Sequence, residues 1–232
     1  MRSAAKQFIL DPTVYAETDN MGEGELQRLM IELLRPMLAR FLAERGDVAH
    51  VGANQFLYWV QFEPTHCIAP DLYVLPGIPQ SRVEKAWKLW NERVVPSFCL
   101  EIVSNDFEKD YVSIPAACAE IGVAELVIFD PEASLGSDRV TWQVFRRQKK
   151  GDRLQQIART DREMIRSDKL GCWLTVVGRG TEQRIRVARD ANGQDLYPTD
   201  AEAEKATREA LEAEVKQLRA ELASERRKRA GR

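Results

Sequence analysis

The sequence predicts an α/β protein in which a mixed β-sheet is flanked by helices and followed by a helical tail. Three observations carry this. Leu26, Leu29, Met30, Leu33, Leu34, Met37, Leu38, Phe41 and Leu42 recur at three- and four-residue spacing, the pattern of a helix with one apolar face. From Val48 onward the texture changes to β-branched and aromatic runs punctuated by Gly, Pro and Asp. From about Asp200 the composition becomes Ala, Glu, Lys, Arg and Leu, with Leu211, Val215, Leu218 and Leu222 spaced as on one side of a helix.

In chain order, the first helix is closed by Gly46 and Asp47, and Pro36, off its apolar face, is placed to bend it. The runs VAHVGANQFLYWVQF, IAPDLYVLPG, SFCLEIVS and AELVIFDP read as strands. Between them, EKAWKLWNE reads as a helix anchored by Trp87 and Trp90, and DYVSIPAACAEIG as a helix entered near Ser113 and Pro115 and stopped by Gly122. The middle of the chain is therefore expected to run β-β-α-β-α-β. Residues 139 to 188 alternate in short strands separated by Gly and Asp turns, which reads as a β-hairpin extension of the sheet. The tail reads as a long helix with the spacing of a short coiled coil, so a domain over residues 1–198 and a tail over 199–232 are expected, with homodimerisation through the tail.

Composition excludes several function classes. The chain has 232 residues and 44% apolar composition, enough for one well-packed domain and an appendage. Its 34 basic and 36 acidic residues leave a formal charge of −2, so no overall cationic field draws in nucleic acid, and a nucleic-acid substrate would need a local basic patch. No apolar stretch approaches the roughly 20 residues of a membrane span, and the expectation is a cytoplasmic protein without membrane contacts. Cys67, Cys99, Cys118 and Cys172 lie far apart in apolar surroundings and read as reduced core thiols. With His50 and His66 as the only histidines, a histidine-based triad or multi-histidine metal centre is not expected.

The residues with most chemical promise are Asp71, in the Pro-Asp step that opens the strand Leu72 to Leu75, and Glu101, inside the strand Phe98 to Val103. A carboxylate in so apolar a strand is costly unless it is paired, protonated or bound to a cation. Two carboxylates from neighbouring strands can hold one hard divalent ion. Plainer roles are also open to them: Glu101 at a sheet edge or paired with an arginine, and Asp71 at the end of a turn. The string RRQKK, residues 146 to 150, has the composition of a phosphate contact or of a solvated hairpin tip. Trp87 and Trp90 can stack on bases or anchor a helix, and His66 stands five residues before Asp71.

The segments IAPDLYVLPGIP, KLWNERVVPSFCLEIVS and GVAELVIFDP, in this order, resemble the Uma-two family of restriction endonucleases, within the PD-(D/E)XK nuclease superfamily. The likeness extends to GEGELQRLM, the LGCWL strand, DLYPT and the Ala/Glu/Arg-rich tail. It implies a restriction-endonuclease-like mixed sheet and a Mg²⁺- or Mn²⁺-dependent DNA endonuclease. Asp71 matches the aspartate after proline, Glu101 the second metal-binding acid, and Glu23 an auxiliary acid near the start of the first helix, with Glu25 as its stand-in. The chain departs from the family where a lysine, followed four residues later by a tyrosine, is expected in the helix before the Gly-Val step. Ile114 and Cys118 stand there, or Ser113 in the alternative register. Lys109 is placed either to reach in as a substitute cation or to remain a solvated loop lysine. Two readings follow: an endonuclease impaired by the missing lysine, and a catalytically inactive nuclease-fold module for binding or assembly.

Overall fold

The computed structural model describes residues 11–16, 24–136, 138–149 and 151–230. It separates into two compact units, Met1–Leu196 and Tyr197–Arg232. The first opens on α1 (Glu25–Glu44), which buries Met30, Leu34, Met37, Leu38 and Phe41. Pro36 is accommodated inside this continuous helix. After Gly46, whose φ of +82° lets the chain turn out of the helix, come β1 (Ala49–Gly52), β2 (Leu57–Tyr58), β3 (Cys67–Ile68), β4 (Leu72–Pro76) and β5 (Trp87–Lys88). A single turn of helix, α2 (Leu89–Glu92), leads to β6 (Phe98–Ile102). A π-helical turn over Lys109–Ser113 runs into α3 (Ile114–Ile121), which ends at Gly122 and feeds β7 (Glu125–Phe129). β8 (Trp142–Arg146), β9 (Gln155–Thr160), β10 (Met164–Ser167), β11 (Cys172–Val177) and β12 (Arg184–Ala188) complete the unit.

The six-stranded sheet has the order β1-β4-β6-β7-β8-β9. Only β6 and β7 pair in parallel, across the crossover that holds the π-turn and α3; the other neighbours are antiparallel. The predicted class, a mixed sheet with flanking helices and a C-terminal helix, is the class observed. One face of β4, β6 and β7 carries Tyr73, Leu75, Cys99, Leu126 and Ile128, which form a core with Ile114, Cys118 and Ile121 of α3. α1 lies against β1 and β12.

Three sequence expectations are corrected. EKAWKLWNE is not one helix: Trp87 is in β5, beside β2, and Trp90 is in α2, so the two rings do not share a helix face. Trp87 is buried, while Trp90 is half-buried with its ring 5.7 Å from that of Tyr15. The run Val48–Phe62 divides at Asn54, whose φ of 52° breaks the extension, so β1 joins the large sheet and β2 a small one of order β3-β2-β5. Finally, residues 139–188 do not form one extension. The β8–β9 hairpin extends the large sheet, whereas β10, β11 and β12 form a separate three-stranded sheet.

The buried carboxylates outside the site have ordinary partners. Asp130 accepts from Arg139 Nε at 2.7 Å and Nη2 at 2.6 Å, and from the Tyr111 hydroxyl at 2.5 Å. Glu125 sits opposite Arg146 in the β7–β8 register and accepts from its Nε at 2.6 Å. Removing one partner of a buried pair strands the other charge. Arg139→Ala is therefore expected to destabilise the protein by about 3 kcal/mol, read as a lowered midpoint in urea with an unchanged slope. An unaltered midpoint would refute the pairing.

The second unit holds α4 (Asp200–Ala230). Its start is fixed by a reciprocal cap: Thr199 Oγ1 accepts from Glu202 N–H at 3.2 Å, and Glu202 Oε2 accepts from Thr199 N–H at 2.8 Å. Asp200 and Glu202 lie in the first turn and Arg227, Lys228 and Arg229 in the last, the charge order that the helix dipole favours. No described helix is long and apolar enough to cross a membrane.

Candidate active site

The site is built by strand register. β4 and β6 pair antiparallel with Leu72 opposite Leu100 and Tyr73 opposite Cys99. One further step places Asp71 opposite Glu101. Side chains alternate along a strand, so Glu101 emerges on the face of Cys99 and Val103, which α3 covers. Both carboxylates leave solvent: Asp71 is 3% exposed and Glu101 fully buried.

Asp71 is held from two directions. Its Oδ2 accepts from Ile102 N–H at 2.6 Å, and its Oδ1 accepts from the side-chain amide of Gln27 in the first turn of α1. The Asp71 N–H in turn donates to Glu101 Oε2 at 3.5 Å. Glu101 Oε1 is buried without a hydrogen bond and faces the Lys109 ammonium at 3.4 Å. Lys109 stays in the site because the segment before it is pinned. Asp106 Oδ1 accepts from Lys109 N–H at 3.1 Å, and Ser104 Oγ accepts from Asp106 N–H at 3.1 Å. The buried Asp110 accepts through Oδ2 from Ser104 N–H at 2.6 Å and Oγ at 2.9 Å. The π-turn begins at Lys109, so its side chain leaves the backbone where the chain turns back over the end of β6.

The electrostatics follow from burial. Loss of water pushes the Asp71 carboxyl up to about 7, against the opposing pull of Ile102 N–H, Gln27 and Lys109. Glu101 is pushed well above the usual carboxylate range, by burial first and then by the charge of Asp71. Burial works to lower Lys109, but Glu101, Asp71 and Asp110 outweigh it and hold the ammonium above its ordinary value. Lys109 is thus charged at neutral pH, and the two acids sit where a shared proton or a second cation relieves their repulsion.

Other expected residues fall elsewhere. Glu23 lies outside the described residues. Glu25, its stand-in, is exposed and pairs with Arg28 at 2.7 Å rather than reaching Asp71. His66 meets Glu63 at 2.9 Å and Glu120 at 3.9 Å, away from the two acids. In the basic string, Arg146 is taken by Glu125 and Asp168, and Arg147 donates to the carbonyls of Val123, Asp152 and Ala119. Those two arginines are structural, and Lys150 lies outside the described residues. Ile114 and Cys118 are buried in the apolar core, and Ser113 is exposed. The sequence reading missed Gln27 and Asp110. The acidic run DFEKD was the available sign for Asp110, whereas a glutamine on a helix carries no comparable signal.

The donor set suits a hard divalent cation. Asp71 and Glu101 offer only oxygen, and Glu101 Oε1 is a buried acceptor with unused capacity. Among the described residues no group of three or more His, Cys, Asp or Glu is placed to hold a metal ion, so the two acids would be its only carboxylate ligands. An ion here would therefore keep most of its water, as Mg²⁺ prefers. A groove of about 710 Å³ along α1 is lined in part by Arg28, Arg35, Asn54 and Gln80. Its Asn54 N–H donates to the carbonyl of Pro70, the residue before Asp71, at 3.0 Å.

Comparison with known proteins identifies the family of the chain. No curated protein matches the chain. Among solved structures, it is similar to a "putative nuclease belonging to DUF820" from Anabaena variabilis ATCC 29413, with 14% identity and a TM-score of 0.45 over 65% of this chain and 75% of that one. The family model Uma2, described as "Putative restriction endonuclease", matches residues 18–177, which include Asp71, Glu101 and Lys109. With more than half its length matched, the chain belongs to the Uma2 family.

Proposed function

We propose that the protein is a divalent-cation-dependent DNA endonuclease that hydrolyses phosphodiester bonds at Asp71, Glu101 and Lys109. The observation that carries this is the buried pair of acids in antiparallel register, with an ammonium 3.4 Å from the orphaned oxygen of Glu101. Burying two carboxylates side by side costs stability. No packing need in the apolar face of β6 calls for it, and such groups cluster where chemistry needs them.

In this reading Asp71 and Glu101 would hold one Mg²⁺ or Mn²⁺, which when bound would activate water and offset negative charge on the phosphate. Ile102 N–H and Gln27 fix the Asp71 carboxylate so that it does not reorganise. Lys109 carries a positive charge at neutral pH, orients the attacking water beside Glu101 and offsets charge that builds on the phosphoryl oxygens. DNA enters along the groove beside α1, where Arg35 and Asn54 offer polar contacts.

The inactive alternative rests on Ile114 at the family's lysine position, now part of the apolar core. Lys109 supports the active reading because it brings the required charge from five residues earlier. Supercoiled plasmid is expected to be nicked by the protein with Mg²⁺ or Mn²⁺ and left intact with EDTA. Failure of either ion to promote nicking, under conditions where calorimetry detects Mn²⁺ binding, would overturn the proposal in favour of a non-catalytic module.

A further inference from the structure

α4 is an exposed helix that carries a row of exposed hydrophobic side chains: among the described residues Leu211, Val215, Leu218 and Leu222 are 45–56% exposed. Their spacing of four, three and four assigns Leu211 and Leu218 to the d positions of a heptad and Val215 and Leu222 to the a positions. Leucine at both d positions with β-branched Val215 at the first a position favours a two-stranded, parallel coiled coil, while Leu222 at the second a position is neutral to that choice. In that register the flanking g positions are Glu214 and Glu221, and the e positions five residues later are Arg219 and Arg226.

These charges decide the occupant and its direction. In a parallel, in-register pair each g residue meets the e residue of the following heptad on the other chain, so Glu214 faces Arg219 and Glu221 faces Arg226, four attractive contacts in all. In an antiparallel pair g faces g and e faces e, setting glutamate against glutamate and arginine against arginine. We propose that α4 is a parallel, in-register homodimerisation zipper whose seam is Leu211–Leu222. The side chains are free to make these contacts: Glu221 has only an exposed contact with Gln217 of its own helix at 2.9 Å, and the i,i+4 pairs of α4 use Lys205, Glu209, Arg208 and Glu212 instead. Arg208 at the preceding a position and Glu225 at the following d position bound the apolar seam. The seam spans two heptads, so the pair dissociates on dilution. The inference does not depend on the nuclease reading.

The test is the mass of the full chain by sedimentation equilibrium, across a concentration series up to about 100 µM. Wild type is expected to pass from one chain to two. The double variant E214R/E221R turns every g–e contact repulsive and is expected to raise the dissociation constant roughly 100-fold, leaving one chain throughout. R219E/R226E is expected to do the same. Mixing the two variants restores attraction at each contact and is expected to return a two-chain species, which a misfolded variant could not form. The proposal is overturned if wild type remains a single chain, if it forms three or more, if E214R/E221R dimerises as tightly as wild type, or if the mixture fails to associate.

Discussion

Glu101→Gln is expected to lower metal-dependent plasmid nicking by at least about 10³-fold, since losing one of two charged ligands forfeits several kcal/mol of transition-state stabilisation. The same change is expected to make the metal-free protein more stable above pH 7. The reason is the state of the acids. Asp71, pushed up to about 7 by burial, holds a proton in the folded state that the unfolded chain releases near its ordinary value of 3.8. Where the folded state binds more protons, stability falls as pH rises. The contribution is thus neutral below about pH 4, turns progressively unfavourable through the window up to about 7, and is fully unfavourable above it.

Three pH units correspond to on the order of 4 kcal/mol. Glu101, raised further by burial and by the charge of Asp71, adds a penalty of the same sign, and a neutral Gln removes it. Relative to wild type, Glu101→Gln should gain roughly 2 kcal/mol, or about 4 to 8 °C in Tm, between pH 5 and pH 8 in EDTA. Mg²⁺ is expected to reverse the order, because it stabilises the wild-type acids and finds one charged ligand fewer in the variant. A Tm difference that stays flat with pH would show that Asp71 and Glu101 do not share the proposed electrostatic strain.

Much of the scaffold is legible in the sequence because it depends on local periodicity. The stripe from Leu26 to Leu42 fixes α1, and the apolar runs fix β4, β6 and β7. The proximity of Asp71 and Glu101 follows from reading both as strand residues on neighbouring segments. What escapes is partnership. Alternation identifies β10 to β12 as strands but does not say which sheet they join, and they form their own. Trp87 and Trp90 at a three-residue spacing fit a helix, yet Trp87 gains more by lying in β5 under Arg82, whose guanidinium sits 5.4 Å from its ring. The basic string is visible as charge, but Arg146 is claimed by Glu125 across the β7–β8 register. Lys109 was hardest to place, because counting from Glu101 assumes a regular helix, while the π-turn over Lys109–Ser113 inserts an extra residue and changes the facing of what precedes α3.

That displaced lysine gives the sharpest separation of roles within the site. Lys109→Met keeps the apolar stem and removes the ammonium, and nicking is expected to fall about 10²- to 10³-fold. Metal binding should behave differently. Among the described residues no other cation pairs with Glu101 or Asp71, so the substitution removes the ammonium that competes with a divalent ion for the same oxygen. At pH 8, above the Asp71 value of about 7, Mn²⁺ is expected to bind the variant at least as tightly as wild type by calorimetry. The metal-free variant should be less stable by about 2 kcal/mol at that pH, a modest figure because the Lys109 side chain is 29% exposed and water already screens the pair. Lys109→Arg, which keeps the charge but changes its shape, is expected to recover part of the rate. Lost nicking with intact metal binding would assign Lys109 to the chemical step. Parallel loss of both would make it a support for the metal ligands, and unchanged nicking would remove it from the mechanism and return the site to Asp71 and Glu101 alone.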